Sequence, residues 1–289
     1  MHTSERIEFY QLKQCPLYEL LGSNEAQGAQ FSTCDPGHAS QGSILVEFSQ
    51  NIGVGTFKTA HTGHLTSTHL AQSGLGMTPN ELVAVKRMYR RRTAAEGSAV
   101  LRFPPADEYA KTVQEANLLY WASSLMEFTY SAIRHRVSQT GQETLPVTIP
   151  YLRFVHAGVA VSHDQVMGTN ISNASSIRRT YLVEEFIEEA SDGFVKFVHN
   201  GDANPLLDHD DPLYDIAEFL CFTQHLQYFK TDGSVFVSDL QDPQIMTSPK
   251  VANGKDLFGD GNVASVFEKF PEQHHCNEYC TWFGLPELT

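Results

Sequence analysis

The chain has 289 residues, of which 41% are hydrophobic, so it can bury one large core or two smaller ones. Acidic residues outnumber basic ones by 34 to 20, and the formal net charge is −14. This charge argues against nucleic acid and against an anionic membrane surface as partners, whereas a basic protein or peptide substrate is easier to accommodate.

The cysteines and the first residues predict an intracellular protein. Five cysteines are an odd number, and Cys15, Cys34 and Cys221 are scattered along the chain. Residues 1–6 form no hydrophobic signal segment, and no apolar run approaches the roughly 20 residues that a membrane helix needs. We therefore expect a reducing, cytoplasmic environment and no membrane partner.

The first predicted elements are strands around a glycine-containing turn. Residues 1–42 carry little periodic signal and are predicted to be a lead-in segment with one short structured piece near residues 9–21. Alternating apolar residues predict a half-buried strand over 44–48. Gly53 and Gly55 follow in a turn, where the missing side chains would let a bound group, typically phosphate, approach the backbone. An ordinary hairpin turn is the alternative.

A second strand is predicted over residues 82–88, and it contains Lys86. A lysine whose stem lies in a core strand can bring its ammonium group to nucleotide phosphates. The alternative is a lysine at a strand end that simply extends into solvent.

A long helix is predicted next, with Asp107 as its cap. Its buried face is predicted to consist of Leu118, Trp121, Ala122, Leu125 and Thr129. Glu115 lies in the N-terminal half of this helix and is the predicted partner of Lys86, with Glu108 as the second candidate. A solvent-facing role is the alternative for either glutamate.

Two further predicted strands precede the second half of the chain. Residues 146–161 are predicted to form a strand, a turn and another strand. Residues 180–187 are predicted to be a buried strand that runs into Glu184 and Glu185. In a two-lobed nucleotide enzyme such a segment is the hinge that holds the adenine edge, although strands that end in two glutamates are common.

In the second half, residues 194–201 are predicted to be a strand that closes in an Asn-Gly turn. A helix is predicted to begin at residues 211–212, with His225 near its end, where a histidine more often packs in the core than binds a metal. A strand over 234–241 then delivers Asp239 and Gln241, and Asp242 follows at once. Carboxylates and an amide at a strand end are the oxygen ligands and the proton acceptor that magnesium-dependent phosphoryl transfer requires.

The C-terminal stretch contains a possible metal site. His274, Cys276 and Cys280 form an H-x-C-x3-C array, and His225 can add a fourth nitrogen or sulfur ligand for a tetrahedral zinc. The two cysteines lie one turn apart if the segment is helical. The spacing differs from the commoner C-x2-C, so two ordinary buried cysteines are the alternative on local pattern alone.

Taken in chain order, these fragments resemble the alpha-kinases, a family of atypical serine/threonine protein kinases. The resemblance runs from about residue 52 to 285. It rests on IGVGTFKTAH (52–61), VAVKR (83–87), VEEFI (183–187), FVKF (194–197), the Asn-Gly pair at 200–201, DLQ (239–241), DPQI (242–245), FGDGN (258–262) and HHCNEYC (274–280). Each fragment is weak alone, but their shared order is specific.

The resemblance implies an α+β, two-lobed protein-kinase-like fold with ATP in the cleft and a structural zinc in the C-terminal lobe. The kinase domain would cover residues 43–289, with an N-terminal lobe of about 43–183 and a C-terminal lobe of about 184–289. The implied activity is that of an ATP-dependent serine/threonine protein kinase that uses Mg²⁺ and transfers the γ-phosphate to a protein hydroxyl group.

The same resemblance implies roles for individual residues. On the nucleotide side, Gly53 and Gly55 would be phosphate-loop glycines, Lys86 would pair with phosphate, and Glu184 would be the adenine-side hinge residue. On the catalytic side, Asp239 would orient or deprotonate the substrate hydroxyl group, and Gln241 and Asp242 would hold magnesium. The implied zinc ligands are His225, His274, Cys276 and Cys280, with His275 as the rival histidine.

The chain departs from the family pattern at one place. Alpha-kinases usually separate the Asp-Leu-Gln and Asp-Pro-Gln elements by a glycine-led loop, whereas Gln241 is joined directly to Asp242 here. Asp239 and Asp242 are therefore at most about 10 Å apart between Cα atoms. Three interpretations stay open: an active kinase with a rearranged loop, a nucleotide-binding and zinc-stapled pseudokinase that acts as an interaction module, or a sequence that has lost a short piece.

Overall fold

The computed structural model describes residues 4–22, 30–33, 39–90, 101–140, 148–164, 176–188, 194–199, 201–240, 244–247, 258 and 264–288. The chain divides into two compact units. Unit 1 consists of Met1–Lys13, Phe31–Ala116 and Val155–Glu188. Unit 2 consists of Gln14–Gln30, Asn117–Phe154 and Glu189–Thr289.

Unit 1 is built on strands. They are β1 (Glu5–Gln11), β2 (Ser40–Val54), β3 (Lys58–Ser67), β4 (Glu81–Arg90), β5 (Leu101–Arg102), β6 (Ala157–His163) and β7 (Ile177–Glu185). All of them belong to one antiparallel sheet with the order β3-β2-β1-β6-β7-β4-β5. Because β3 also pairs with β4, the first six strands of this order form a closed ring. A closed ring leaves no long unpaired edge among its strands.

The apolar core of unit 1 fills this ring. Its buried residues are Ile7, Phe9, Ile44, Val46, Leu65, Leu75, Val83, Val85, Ala160, Tyr181 and Val183. Alternation along β4 places Val83 and Val85 in the core, and Lys86 therefore lies on the opposite face of the strand. This alternation keeps the Lys86 side chain out of the apolar core.

Unit 2 contains most of the helices. They are α1 (Leu17–Gly22), the part of α2 (Pro105–Thr140) that follows residue 116, α3 (Tyr214–Lys230), α4 (Ala264–Gln273) and α5 (Glu278–Phe283). The hairpin of β8 (Val235–Ser238) and β9 (Gln244–Thr247) completes the unit. Its main core includes Trp121, Leu125, Phe219, Phe222 and Cys280. Within the described ranges, none of the helices has the length and the apolar character needed to span a bilayer.

Several predicted elements are confirmed. The strands over 44–48, 82–88 and 180–187 correspond to β2, β4 and β7, and the strand over 234–241 contains β8. The predicted buried face of α2 is also confirmed, since Leu118, Trp121, Ala122, Leu125 and Thr129 are all at most 3% exposed. Strong apolar periodicity made these elements readable.

Other predicted elements differ from the structure. Residues 5–11 form β1, which pairs with both β2 and β6, so this part of the expected lead-in segment belongs to the sheet. The helix α2 begins at Pro105, so Asp107 lies inside its first turn instead of capping it. Residues 194–199 form no strand beyond a single bridge from Val198 to Pro205, since they run in irregular backbone.

The domain boundaries also differ from those implied by the resemblance. The expected N-terminal lobe of about 43–183 contains residues 117–154, which cluster with unit 2. Residues up to Lys13 cluster with unit 1 although they were expected to lie outside the domain. Sequence order alone does not reveal where the chain passes from one unit to the other, because these points depend on long-range pairing.

Candidate functional site

Gly53 is next to the last residue of β2, and Gly55 opens the turn between β2 and β3. A Cβ atom added at Gly53 would come no closer than 3.9 Å to Ala60, and one added at Gly55 would lie 3.6 Å from the Lys58 carbonyl oxygen. These are ordinary contacts, so the packing of unit 1 does not itself require glycine at these positions. The missing side chains at these positions are compatible with a bound group that approaches the backbone closely.

The amide groups of these glycines are already engaged. The Gly55 amide donates to the carbonyl oxygen of Lys58 at 2.8 Å, and the Gly53 amide donates to Oδ1 of Asn51 at 3.1 Å. Tyr89 also donates its hydroxyl hydrogen to the Gly55 carbonyl oxygen at 2.6 Å. In this conformation the two glycines offer room rather than free N–H donors.

Lys86 and Glu184 form an ion pair on the face of the sheet opposite the core. The strands β4 and β7 pair Ala84 with Glu184 and Lys86 with Leu182, so the two charged side chains are diagonal neighbours. Lys86 Nζ lies 2.6 Å from Glu184 Oε2, and the two side chains are 24% and 10% exposed. The structure thus brings together the predicted phosphate-pairing lysine and the predicted hinge residue.

The predicted pairing of Lys86 with Glu115 or Glu108 is wrong. Glu115 instead binds Lys58 of β3, with Nζ 2.5 Å from Oε2. Glu108 binds Arg87, the residue after Lys86, which points to the other face of β4. Spacing along the sequence could not distinguish these partners, because both faces of β4 carry a basic residue.

Asp239 follows β8 in unit 2, with a positive φ of 52°. Its Oδ1 atom lies 2.5 Å from Nζ of Lys196, and the two side chains are 16% and 30% exposed, respectively. Left-handed backbone is more accessible to Asp and Asn than to most other residues. The backbone and the lysine together orient this carboxylate. Gln241 and Asp242, the other two predicted catalytic residues, lie outside the described residues.

His225, His274, Cys276 and Cys280 form one cluster. The candidate ligand atoms of these side chains all lie within 4.8 Å of one another. Helix α3 supplies His225, the end of α4 leads to His274, and the two cysteines flank the start of α5. His225 and Cys280 are 0% exposed and His274 is 7% exposed, whereas Cys276 is exposed.

The distances in this cluster fit a tetrahedral metal site. Sγ of Cys276 lies 3.7 Å from Nδ1 of His225, and Sγ of Cys280 lies 3.6 Å from Nε2 of His274. Bonds of about 2.3 Å from zinc to sulfur and about 2.1 Å to nitrogen, at the tetrahedral angle, predict a nitrogen–sulfur distance of about 3.6 Å. The residues present could therefore hold a metal ion, and their spacing fits the bond lengths of zinc.

Burial sets the protonation of these groups. Burial lowers the pKa of His225 to about 4, opposed only by the Pro286 carbonyl group. Burial also lowers the pKa of His274 to about 4, and the nearby His225 adds to this shift. Both imidazoles are therefore neutral at pH 7, which is the form that binds metal. Burial raises the pKa of the Cys280 thiol to about 12, so a thiolate there needs a cation beside it.

The loop around Cys276 is fixed by neighbouring residues. Asn277 caps α5 by accepting a hydrogen bond from the Cys280 amide, and its side-chain nitrogen donates to the Glu218 carbonyl oxygen of α3 at 2.8 Å. The rival histidine, His275, is exposed and contacts Asn204, with Nδ1 3.0 Å from Oδ1. The cluster thus includes His274 and leaves out His275.

Two functional candidates were missed by sequence reasoning. Lys196 was recognised only as part of the FVKF segment, and Lys58 only as part of the turn sequence. Each proves to hold a carboxylate, Asp239 and Glu115 respectively. The available signal was a single basic residue among apolar ones, which occurs too often to identify a partner.

Two comparisons with known proteins give matches. The sequence profile of the Alpha-kinase family matches residues 57–280. An alignment over 106 residues, which covers 35% of this chain, shows 32% identity to Alpha-protein kinase 2 of Danio rerio. That alignment spans 5% of the relative's length, so most of the relative has no counterpart in the match.

Proposed function

The chain belongs to the alpha-kinase family, and we propose that it is an active serine/threonine protein kinase that transfers the γ-phosphate of ATP to a hydroxyl group of a protein substrate. The family implies use of ATP and Mg²⁺. The observation that carries the proposal of activity is the pre-oriented Asp239 carboxylate with its Lys196 partner. The negative charge of the chain favours a basic protein substrate.

On the nucleotide side, Lys86 would bind the phosphates of ATP as a compact positive charge. To do so, Lys86 would give up part of its contact with Glu184 in favour of the phosphates. The carboxylate or the backbone of Glu184 would then face the adenine. Gly53 and Gly55 would contribute the space that their missing side chains leave. Phosphoryl transfer depends mostly on such positioning and charge stabilisation.

On the acceptor side, Asp239 would orient the substrate hydroxyl group and accept its proton. Gln241 and Asp242 would provide the oxygen ligands for magnesium. Lys196 would keep the Asp239 carboxylate in place through their ion pair. These roles require no further titratable residue.

The cluster of His225, His274, Cys276 and Cys280 would hold a structural zinc. When bound, zinc would supply four coordinate bonds that join α3 to the C-terminal segment. The cluster would contribute to the folding stability of the protein, whereas Asp239 would contribute to phosphoryl transfer.

The test of this function is transfer of labelled γ-phosphate to a basic protein and to the chain itself, at saturating Mg²⁺ and ATP. We expect incorporation into serine or threonine well above that of an Asp239→Asn variant. If the wild-type protein binds ATP but shows only the background of that variant, the chain is a pseudokinase that serves as an interaction module.

A further inference from the structure

The two strands that carry the candidate nucleotide residues part directly beyond them. The pairing of β4 with β7 runs from Val83, opposite Glu185, to Lys86, opposite Leu182. Beyond Lys86 the strand β4 continues to Arg90, but its pairing with β7 ends. The backbone that follows Lys86 on this side therefore needs other partners.

The carboxylate of Glu108, near the start of α2, lies where these strands part. Arg87 donates two hydrogen bonds to it, from Nε to Oε1 at 2.9 Å and from Nη2 to Oε2 at 3.0 Å. The Thr180 amide of β7 makes a longer contact of 3.5 Å with the same Oε2. Glu108 is 1% exposed, so one buried carboxylate contacts both strands. Paired charge-assisted bonds of this kind combine strength with fixed geometry.

The guanidinium group of Arg102 holds the backbone of β4 at the same point. Its Nη1 atom donates to the carbonyl oxygens of Arg87 and Met88 at 3.2 and 3.3 Å. Its Nη2 atom donates to the Thr59 hydroxyl of β3 at 2.7 Å. The two residues that follow Lys86 are thus fixed by their main chain as well as by the Arg87 side chain.

Aromatic rings limit any movement of Arg87. Its guanidinium carbon lies 5.9 Å from the centre of the Phe48 ring and 5.6 Å from the centre of the Tyr181 ring. Stacking on these rings and the two bonds to Glu108 require one orientation of the planar group. A lysine at this position would keep the charge but lose the forked geometry.

We propose that Glu108 is a positioning residue, which fixes β4 through Arg87 and β7 through Thr180 and thereby keeps Lys86 and Glu184 in nucleotide-binding geometry. The nucleotide roles of Lys86 and Glu184 rest on the proposed function. Glu108 itself acts through the strands and touches no nucleotide.

Stability and positioning can be separated experimentally. Removing one partner of a buried ion pair leaves an uncompensated charge, whereas replacing both partners by apolar residues is often neutral. The informative variant is therefore Arg87→Met with Glu108→Leu, compared with Glu108→Gln. Glu127→Gln is the matched control, because Glu127 pairs with Arg134 on an exposed part of α2, where the side chains are 48% and 61% exposed.

The experiment measures the melting temperature, the Kd for Mg·ATP by calorimetry, and hydrogen exchange of the amides of residues 85–88. We expect the double variant to melt within about 3 °C of the wild type. We also expect its Kd to rise at least about tenfold and its exchange in β4 to accelerate, because the apolar pair lacks directional contacts. Glu108→Gln should show the same changes in Kd and in exchange, and its melting temperature should fall in addition. Glu127→Gln should match the wild type in all three measurements.

A folded double variant with wild-type Kd and wild-type exchange would overturn the proposal. If the double variant does not fold, Arg87→Lys decides the matter: we expect a several-fold weaker Kd, and a wild-type Kd would count against positioning. If the wild-type protein itself binds no Mg·ATP, the proposed function fails. The positioning role of Glu108 is then judged on exchange of residues 85–88 alone, where unchanged rates in the variants would reject it.

Discussion

Nζ of Lys196 lies 2.5 Å from Oδ1 of Asp239, so the candidate catalytic carboxylate is already paired with a cation from its own unit. The carboxylate is held twice, by this contact and by the left-handed backbone at Asp239. The backbone fixes the Cα end of this short side chain, and Lys196 fixes its carboxylate end. A carboxylate held in this way needs little rearrangement before it can bind a substrate hydroxyl group.

Replacing Asp239 by asparagine isolates the chemistry of the carboxylate. Asparagine tolerates the left-handed backbone, so the variant should keep its zinc content and its melting temperature while phosphotransfer falls to background. Asp239→Ala is a poorer test, because alanine in left-handed backbone adds about 1 kcal/mol of strain. Measurable turnover by Asp239→Asn, at more than a few per cent of wild type, would exclude Asp239 as the essential proton acceptor.

Lys196→Met tests whether the lysine serves Asp239 or the nucleotide. The structure gives its ammonium group a contact with Asp239, so we expect kcat to fall about ten- to a hundredfold, as for loss of one charge-assisted hydrogen bond. The KM for ATP should stay near the wild-type value. A raised KM with unchanged kcat would instead assign Lys196 to nucleotide binding.

Lys86→Met is expected to weaken nucleotide binding, but the Lys86–Glu184 pair complicates a single substitution. Methionine preserves much of the stem of the lysine, yet it leaves the Glu184 carboxylate, 10% exposed, without its cation. We expect Lys86→Met to lose about 1–2 kcal/mol of stability and about ten- to a hundredfold in affinity for Mg·ATP.

The matched control for this prediction is the double variant Lys86→Met with Glu184→Gln. The double variant removes the unpaired negative charge of Glu184. Its melting temperature should therefore return towards the wild-type value while its affinity for Mg·ATP stays low. Calorimetry on the two variants checks both quantities. Wild-type affinity in Lys86→Met would reject the phosphate-pairing role.

The proposed zinc site predicts a stability effect without a direct catalytic one. Because structural metal binding is coupled to folding, Cys280→Ser should lose the metal and lower the melting temperature by at least about 10 °C. Cys221→Ser is a control, since Cys221 is a buried cysteine of the same unit that lies outside the cluster. Elemental analysis should find one equivalent of zinc in the wild type and in Cys221→Ser. Well below one equivalent in the wild type would rule out the site.

The sequence predicted the local features of this protein better than its long-range pairings. Strand β4 and the buried face of α2 follow from apolar periodicity, which a single segment carries by itself. The identity of the partner of Lys86 does not follow from periodicity, because Glu184 is brought to Lys86 only by the pairing of β4 with β7. The inclusion of β1 in the sheet is likewise a long-range fact, since its two partner strands begin at Ser40 and Ala157.

The metal cluster was predictable for the opposite reason. His274, Cys276 and Cys280 lie within seven residues, so their chemistry is visible locally, and only His225 is distant in sequence. The choice of His274 over His275 came from the family pattern and not from local chemistry, since both are histidines close to Cys276. In the structure this choice depends on Asn204, whose side chain binds His275 and leaves His274 to the buried cluster.

Acidification should destabilise the protein through His225 and His274. Both imidazoles have a pKa of about 4 in the folded protein, below the ordinary value of 6.5. A lowered pKa means that the unfolded chain binds these protons more readily. The stabilising contribution is therefore complete above pH 6.5 and is lost as the pH falls towards 4. We expect the melting temperature and the bound zinc to decline together between pH 7 and pH 4.5, as followed by calorimetry and elemental analysis.

The control for this pH dependence is Cys280→Ser, which should already lack the metal at pH 7. Its melting temperature should fall less over the same pH interval, because proton binding no longer competes with coordinate bonds to zinc. Carboxylates elsewhere in the chain contribute equally to both proteins and cancel in the comparison. Parallel pH curves for the wild type and Cys280→Ser would show that the acid sensitivity does not arise from loss of a metal at the cluster.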